Sequence, residues 1–370
     1  MSSLLGKIKK YSKRYLNQEG GWQEQLILSL LALIIPLIIG AGIILLMGFN
    51  PLLIYYEVLK GSLGTPSSIS NTVSKTIPLI MTGLALAIPF RVGLFNIGGE
   101  GQLMLGGFAA ALAGAYLSAP SIIHIPIMLI VGMIAGAAWA SIAGILKAYL
   151  DAHEVVTTIM LNYIATFLTV YLVTKPFKGP GFEPRTKKIE PTAMLHQFSE
   201  LPFLKQIVSG GDGNTGIIIA IIAAIAIYYL LWKTSIGYRL RSVGFSPDAS
   251  SYGGVNVKKA MVISMLLGGA MAGLGGSLHT MGIHRSYTVG FSPGLGFDGI
   301  AVGALARNHP IGVIFTAALF GILTAGGTYL DIVIAGLPKE IIGILKALVI
   351  LFVGAPELMR VIRNKLGGKN

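Results

Sequence analysis

The 370-residue chain contains no cysteine, which excludes disulfides, thiolate metal ligands and cysteine nucleophiles from its chemistry. Charge is scarce too: Asp, Glu, Lys and Arg make up 12% of residues, about half the share of an ordinary soluble domain. The six histidines show no H-x-x-x-H spacing and are scattered, so no metal site is expected. No Ser-His-Asp order, nucleophile elbow or paired-carboxylate motif is recognisable. The chain also lacks G-x-x-x-x-G-K-[ST], and hence a P-loop with which to hydrolyse ATP by itself. A membrane enzyme is the least supported class, no cofactor is expected, and energy has to come from a partner.

Apolar length is what the chain has instead. Hydrophobic residues reach 54% and the mean hydropathy is +0.75, which implies an all-α polytopic membrane protein. The net charge of +13 is concentrated in flanks, so it does not point to nucleic acid. Lys7, Lys9, Lys10, Lys13 and Arg14 precede the first apolar run, and Arg360, Arg363, Lys365 and Lys369 follow the last. By the positive-inside rule both termini are expected in the cytoplasm, with residues 1–25 and 356–370 as basic cytoplasmic segments around a membrane domain at 26–355. Lys7 to Tyr15 reads either as a short helix on the membrane surface or as a loosely ordered tail. The first run has no A-x-A-like cleavage site after it and is expected to stay as an anchor.

About ten transmembrane elements follow from the apolar runs. The first is Leu26 to Met47, with Pro36 implying a kink. Residues 48–75 read as an external connection with one interfacial helix, and spans from Thr76 to Phe95, Gln102 to Ala119, Pro126 to Leu150 and Asp151 to Thr174 come next. Residues 175–215, with five prolines and no apolar run of spanning length, form the largest extracytoplasmic loop. Gly216 to Trp232 is the sixth span, residues 233–259 are a basic cytoplasmic segment, and Ala260 to Met281 is the seventh span. Splitting the remainder at Arg307-Asn308-His309-Pro310 leaves a short, broken eighth element and keeps the crossings even.

The stretch Arg91 to Gly107 places Asn96, Glu100 and Gln102 among glycines between two apolar runs. Polar groups and loosened backbone are tolerated at membrane depth only when buried in protein or lining a wet cavity. A second interruption, with Asp298, Asn308 and His309, lies in the other half of the chain. Paired interruptions of this kind point to internal repeats with a site between them.

Four motifs carry a family resemblance: FNIGGEGQLMLGG from Phe95, HEVVTTIMLNYIA from His153, TSIGYRLRSVG with GGVNV from Thr234, and GFDGIAVGALARNHPIG from Gly296. In this order they resemble the ATP-binding-cassette importer permeases for simple sugars, branched-chain amino acids and nucleosides, most closely the nucleoside-uptake branch. The chain departs from that pattern at Gly244-Phe245-Ser246-Pro247, where an acidic-Asn-Pro turn is common. The resemblance implies a type II permease fold in a bacterial cell membrane and a homo- or heterodimer of permease subunits. It further implies a cytoplasmic ABC ATPase and an extracytoplasmic solute-binding protein or lipoprotein that delivers a small-molecule substrate. By motif it places Asn96, Glu100, Gln102, Asn162, Asp298, Asn308 and His309 along the translocation path, and Gly237, Arg239, Arg241 and Gly244 on a coupling segment against the ATPase. Sugars or branched-chain amino acids remain alternative cargoes, and an ion-coupled secondary transporter using Glu100 and Asp298 is a further alternative.

Each residue also has a structural reading. Glu100 would close a helix N-terminus at Gly101-Gln102, Asn96 and Gln102 would satisfy broken backbone, and His309 would cap a turn before Pro310. The Asp151 to Thr158 stretch reads as a helix N-cap. The glycines at 237, 244, 253 and 254 read as defined turns around a rigid, arginine-bearing knob.

Overall fold

The computed structural model describes residues 22–202, 205, 207–208, 210–334, 338 and 340–354. The basic segments at the two termini fall mostly outside this set. The described residues are helical, apart from turns and two isolated bridges.

The helices are α1 (Trp22–Leu46), α2 (Pro51–Leu63), α3 (Pro66–Phe90), α4 (Gly99–Tyr116), α5 (Ser121–Leu150), α6 (Glu154–Thr174) and α7 (Gly216–Lys233), followed by α8 (Ser235–Phe245), α9 (Pro247–Tyr252), α10 (Val257–His279), α11 (Leu295–Leu305), α12 (Pro310–Val333) and α13 (Glu340–Gly354). Ten of these match the apolar elements counted from sequence. Among the described residues six are long and apolar enough to cross a membrane: α3, α5, α6, α7, α10 with its terminal turn, and α12. "About ten" therefore counts elements, several of them shorter than a bilayer. The described residues divide into two compact units, one within 52–342 and the other formed from 22–51 and 343–354.

Within the first unit, α10 packs along α5, α4 and α3. Small residues allow it. A Cβ on Gly106 of α4 would collide with the backbone of Gly273 on α10, and one on Gly136 of α5 would meet the backbone of Gly269 and Gly273. In lipid no hydrophobic force draws helices together, so close backbone contact supplies much of their attraction.

Two expectations are corrected. The connection read at 48–75 is mostly helix: α3 begins at Pro66, ten residues before the expected start, because Thr65 Oγ1 accepts from Ser68 N–H (3.1 Å) and proline occupies the first turn. Thr65-Pro66 is a helix start inside the stretch that reads from sequence as a connection. Asp151 is likewise not an N-cap. It ends α5 in a left-handed conformation (φ 48°) and pairs with Lys147 (2.9 Å), while His153 stands at the start of α6.

The segments outside the long helices lie at opposite ends of this unit. Residues 175–215 fold over the connection between α10 and α11: Thr186 N–H donates to Tyr287 O (2.9 Å) and Leu195 N–H to Met281 O (3.2 Å). At the other end, α8 and α9 link α7 to α10.

Candidate functional site

The chain leaves α3 at Arg91 and crosses residues 91–98 as turns before α4 starts at Gly99. Non-helical backbone here has to find partners inside the protein. Asn96 and Gln102 supply them. Asn96 Nδ2 donates to Ala85 O (3.2 Å) and to Gln102 Oε1 (3.0 Å), Gln102 Nε2 donates to Asn96 Oδ1 (2.9 Å), and Gly98 N–H donates to the same Oδ1 (3.1 Å). Asn162, reaching over from α6, accepts from Gly101 N–H (2.9 Å) and donates to Ile97 O (3.0 Å). All three amides are buried and bonded to the break.

Glu100 differs from the sequence reading in its partner. It closes a helix N-terminus, but that of α11. Its Oε1 accepts from Gly294 N–H (3.2 Å) and its Oε2 from Gly296 N–H (2.6 Å). Gly296 in turn lies so close to the start of α4 that a Cβ there would strike the backbone of Glu100. Two short helices thus meet start to start, and their positive dipole ends share a single carboxylate that is 5% exposed. Asp298 stands in the first turn of α11, two residues beyond the Gly296 amide that Glu100 accepts from. The paired interruptions therefore converge at Glu100 and Asp298, joined by Asn96, Gln102 and Asn162.

Asn308 and His309 are placed elsewhere, at the C-terminal end of α11 beside α7 and α8. His309 is the N-cap of α12, its Nδ1 accepting from Gly312 N–H (3.4 Å). Its ring lies 5.1 Å from that of Trp232.

The coupling segment is a pair of capped helices. Thr234 caps α8, Ser246 caps α9 and Asn256 caps α10, each accepting a backbone N–H three residues on. Of the four glycines expected as turns, Gly254 alone has a positive φ (80°). Gly237 and Gly244 lie inside α8 and are there for proximity: a Cβ would strike Leu230 and Leu231 carbonyls at the first and the Arg91 carbonyl at the second. Arg239 is exposed and, with Lys259, Ile236, Leu240 and Val255, lines a groove between α8 and α10. Phe245 and Tyr252 project at 77% and 96% exposure. Sequence reasoning passed over Arg91 and Trp232, whose rings and charges join this segment to α11. The signal was a lone arginine at the end of an apolar helix, ahead of the break.

The family described as branched-chain amino acid transport system / permease component matches residues 68–354. This chain belongs to that family. It is a multi-pass membrane permease component and not itself an enzyme. The guanosine ABC transporter permease protein NupP of Bacillus subtilis (strain 168) is 39% identical over 94% of this chain and 98% of its own length. The nucleoside ABC transporter permease protein NupB of Lactococcus lactis subsp. cremoris (strain MG1363) is 34% identical over 92% and 94%. The glucose ABC transporter permease protein TsgB13 of Haloferax volcanii is 31% identical over 89% and 87%. No solved structure matches the chain.

Proposed function

We propose that this permease forms the nucleoside path of an ATP-driven importer in a bacterial cell membrane. The observation that carries the cargo is the end-to-end relationship to a guanosine and a nucleoside permease. In this reading two permease subunits, identical or different, enclose the path, and an ABC ATPase docks from the cytoplasm on α8 and α9. A solute-binding protein or lipoprotein delivers cargo at the opposite end, over residues 175–215. Both termini are then cytoplasmic.

The site supports a division of labour. Asn96, Gln102 and Asn162 hold the broken backbone in shape, while Glu100 and Asp298 mark the joint between two short helices that border the path. Asn308 and His309 stand between that joint and the motor. Gly237 and Gly244 seat α8 against its neighbours, and Arg239 and Arg241 present cations suited to acidic or carbonyl partners on the ATPase.

The glucose permease relative favours a second reading, a sugar importer with the same mechanics. Uptake of radiolabelled guanosine, glucose and leucine by the complete transporter in proteoliposomes separates the cargoes. ATP-dependent guanosine uptake that unlabelled glucose does not compete away is the expected result. Glucose uptake indifferent to nucleosides would establish the sugar reading, and uptake by the permease alone, driven by an ion gradient, would overturn ATP drive.

A further inference from the structure

The junction between α3, α7, α8 and α11 carries an inference about how motion reaches the joint at Glu100. It rests on the reading of α8 as the ATPase contact. A lone arginine at the end of a long apolar helix would ordinarily extend to water or lipid phosphate. Arg91 instead turns back into the protein. Its Nη2 donates to Asn308 O (2.7 Å) and Arg307 O (3.3 Å), and its Nε to Asn308 O (3.2 Å). These carbonyls follow the last turn of α11, where the helix dipole is negative. Arg307 and Asn308 are both in the left-handed region (φ 52° and 55°), uncommon for two consecutive residues other than glycine and typical of segments held by their surroundings.

The guanidinium lies 4.9 Å from the Trp232 ring centroid at the end of α7, and Arg241 of α8 lies 5.8 Å from the same ring. Tyr228 stacks on that indole at 5.4 Å. Two like charges thus share one aromatic seat, and neither forms an ion pair among the described residues. Arg241 Nε and Asn308 Oδ1 are buried without hydrogen-bond partners at the same junction. Both therefore sit where polar side-chain atoms crowd against the Arg91 fork. Finally, Gly244 of α8 rests on the Arg91 carbonyl with no space for a methyl group.

We propose that Arg91, seated on Trp232, is the positioning residue that carries displacement of α8 to the C-terminus of α11, and so to the joint at Glu100. Backbone contact at Gly244 delivers the push, and the guanidinium fork transmits it. Residues 92–98 provide the parallel link to α4.

The test uses the complete transporter in proteoliposomes, with guanosine uptake and ATP hydrolysis measured on the same samples. R91Q is expected to lower the guanosine moved per ATP by about tenfold, with the melting temperature within about 2 °C of wild type. W232L should match R91Q, W232F should keep most of the ratio because an aromatic face remains, and R91K should be intermediate because a point charge lacks the fork. Wild-type coupling in R91Q overturns the proposal. So does a collapse in melting temperature in R91Q and R91K together with unchanged coupling in W232L. If the importer reading itself fails, wild type shows no ATP-dependent uptake, whereas failure of this inference leaves wild type and R91Q equally coupled.

Discussion

The Glu100 carboxylate and the Gly296 backbone amide, 196 residues apart in sequence, meet at 2.6 Å. That bond ties the start of one short helix to the start of another, one from each half of the chain. Each helix alone would leave unpaired N–H groups in an apolar interior, where they are expensive. Glu100 satisfies the α11 amides from its place in the first turn of α4, whose own Gly101 N–H goes to Asn162, so a movement of either helix is felt by both.

Replacing Glu100 tests how much the joint depends on that charge. Glutamine keeps the shape but offers one acceptor oxygen, and its NH2 group would face an N–H it cannot accept from. Charge-assisted bonds to two backbone donors are lost or weakened, so E100Q should destabilise the protein on the order of 3 kcal/mol. Thermal unfolding in detergent checks this. A variant melting with wild type would mean that the carboxylate is dispensable to the joint.

The Asn96 and Gln102 side chains exchange two hydrogen bonds, at 3.0 and 2.9 Å. Truncating Asn96 leaves the Gln102 amide buried without these bonds, and truncating Gln102 leaves Asn96 with only its Ala85 and Gly98 contacts, so truncating both should cost less than the sum. A double-mutant cycle of N96A and Q102A is expected to give a coupling energy of about 1–2 kcal/mol. Strict additivity would show that the two amides act separately, as independent contacts to a solute would.

The apolar runs and the polar break were legible because hydropathy and glycine content are local properties. Helix ends at Leu150 and Thr174 were placed correctly for the same reason. What escaped was anything needing a partner distant in sequence. The helix that Glu100 caps lies in the other half of the chain, and no periodicity connects them. Glycine was the ambiguous letter. Gly237 and Gly244 look like turn residues, yet they sit inside α8 because a neighbouring backbone lies against them. Thr65-Pro66 misled in the opposite direction, since the same pair ends a turn and starts a helix.

Acid should loosen the junction at His309. Its Nδ1 needs a free lone pair to accept from Gly312, and burial first, then nearby Arg91, hold the imidazole below its ordinary pKa of 6.5. A group depressed on folding contributes stability above the unfolded value and loses it as pH falls through the folded one. Melting temperature should therefore decline below about pH 6.5. H309N keeps a capping acceptor that does not titrate, so its profile should be flatter than wild type over the same range. Parallel profiles for the two proteins would remove His309 from the pH response.

Gly273 offers the sharpest test of the packing that surrounds both ends. Its Cα face lies against α5, where a Cβ would strike the carbonyl of Gly132 and come within 3.1 Å of the Gly136 Cα. Backbone cannot swing aside as a side chain can, so G273A must push α5 and α10 apart, and their separation propagates to α4 through Gly106. Overpacking of this kind costs roughly 1–3 kcal/mol, and more where rigid backbone is the neighbour. The matched control is Gly253, at the end of α9, where an added Cβ would meet its nearest atoms at 3.4 and 3.5 Å in ordinary contact. G253A should stay within about 0.5 kcal/mol of wild type. Folded yield and melting temperature of the two variants decide the matter: equal behaviour would mean that α5 and α10 have slack, and that glycine at their crossing is not what sets their distance.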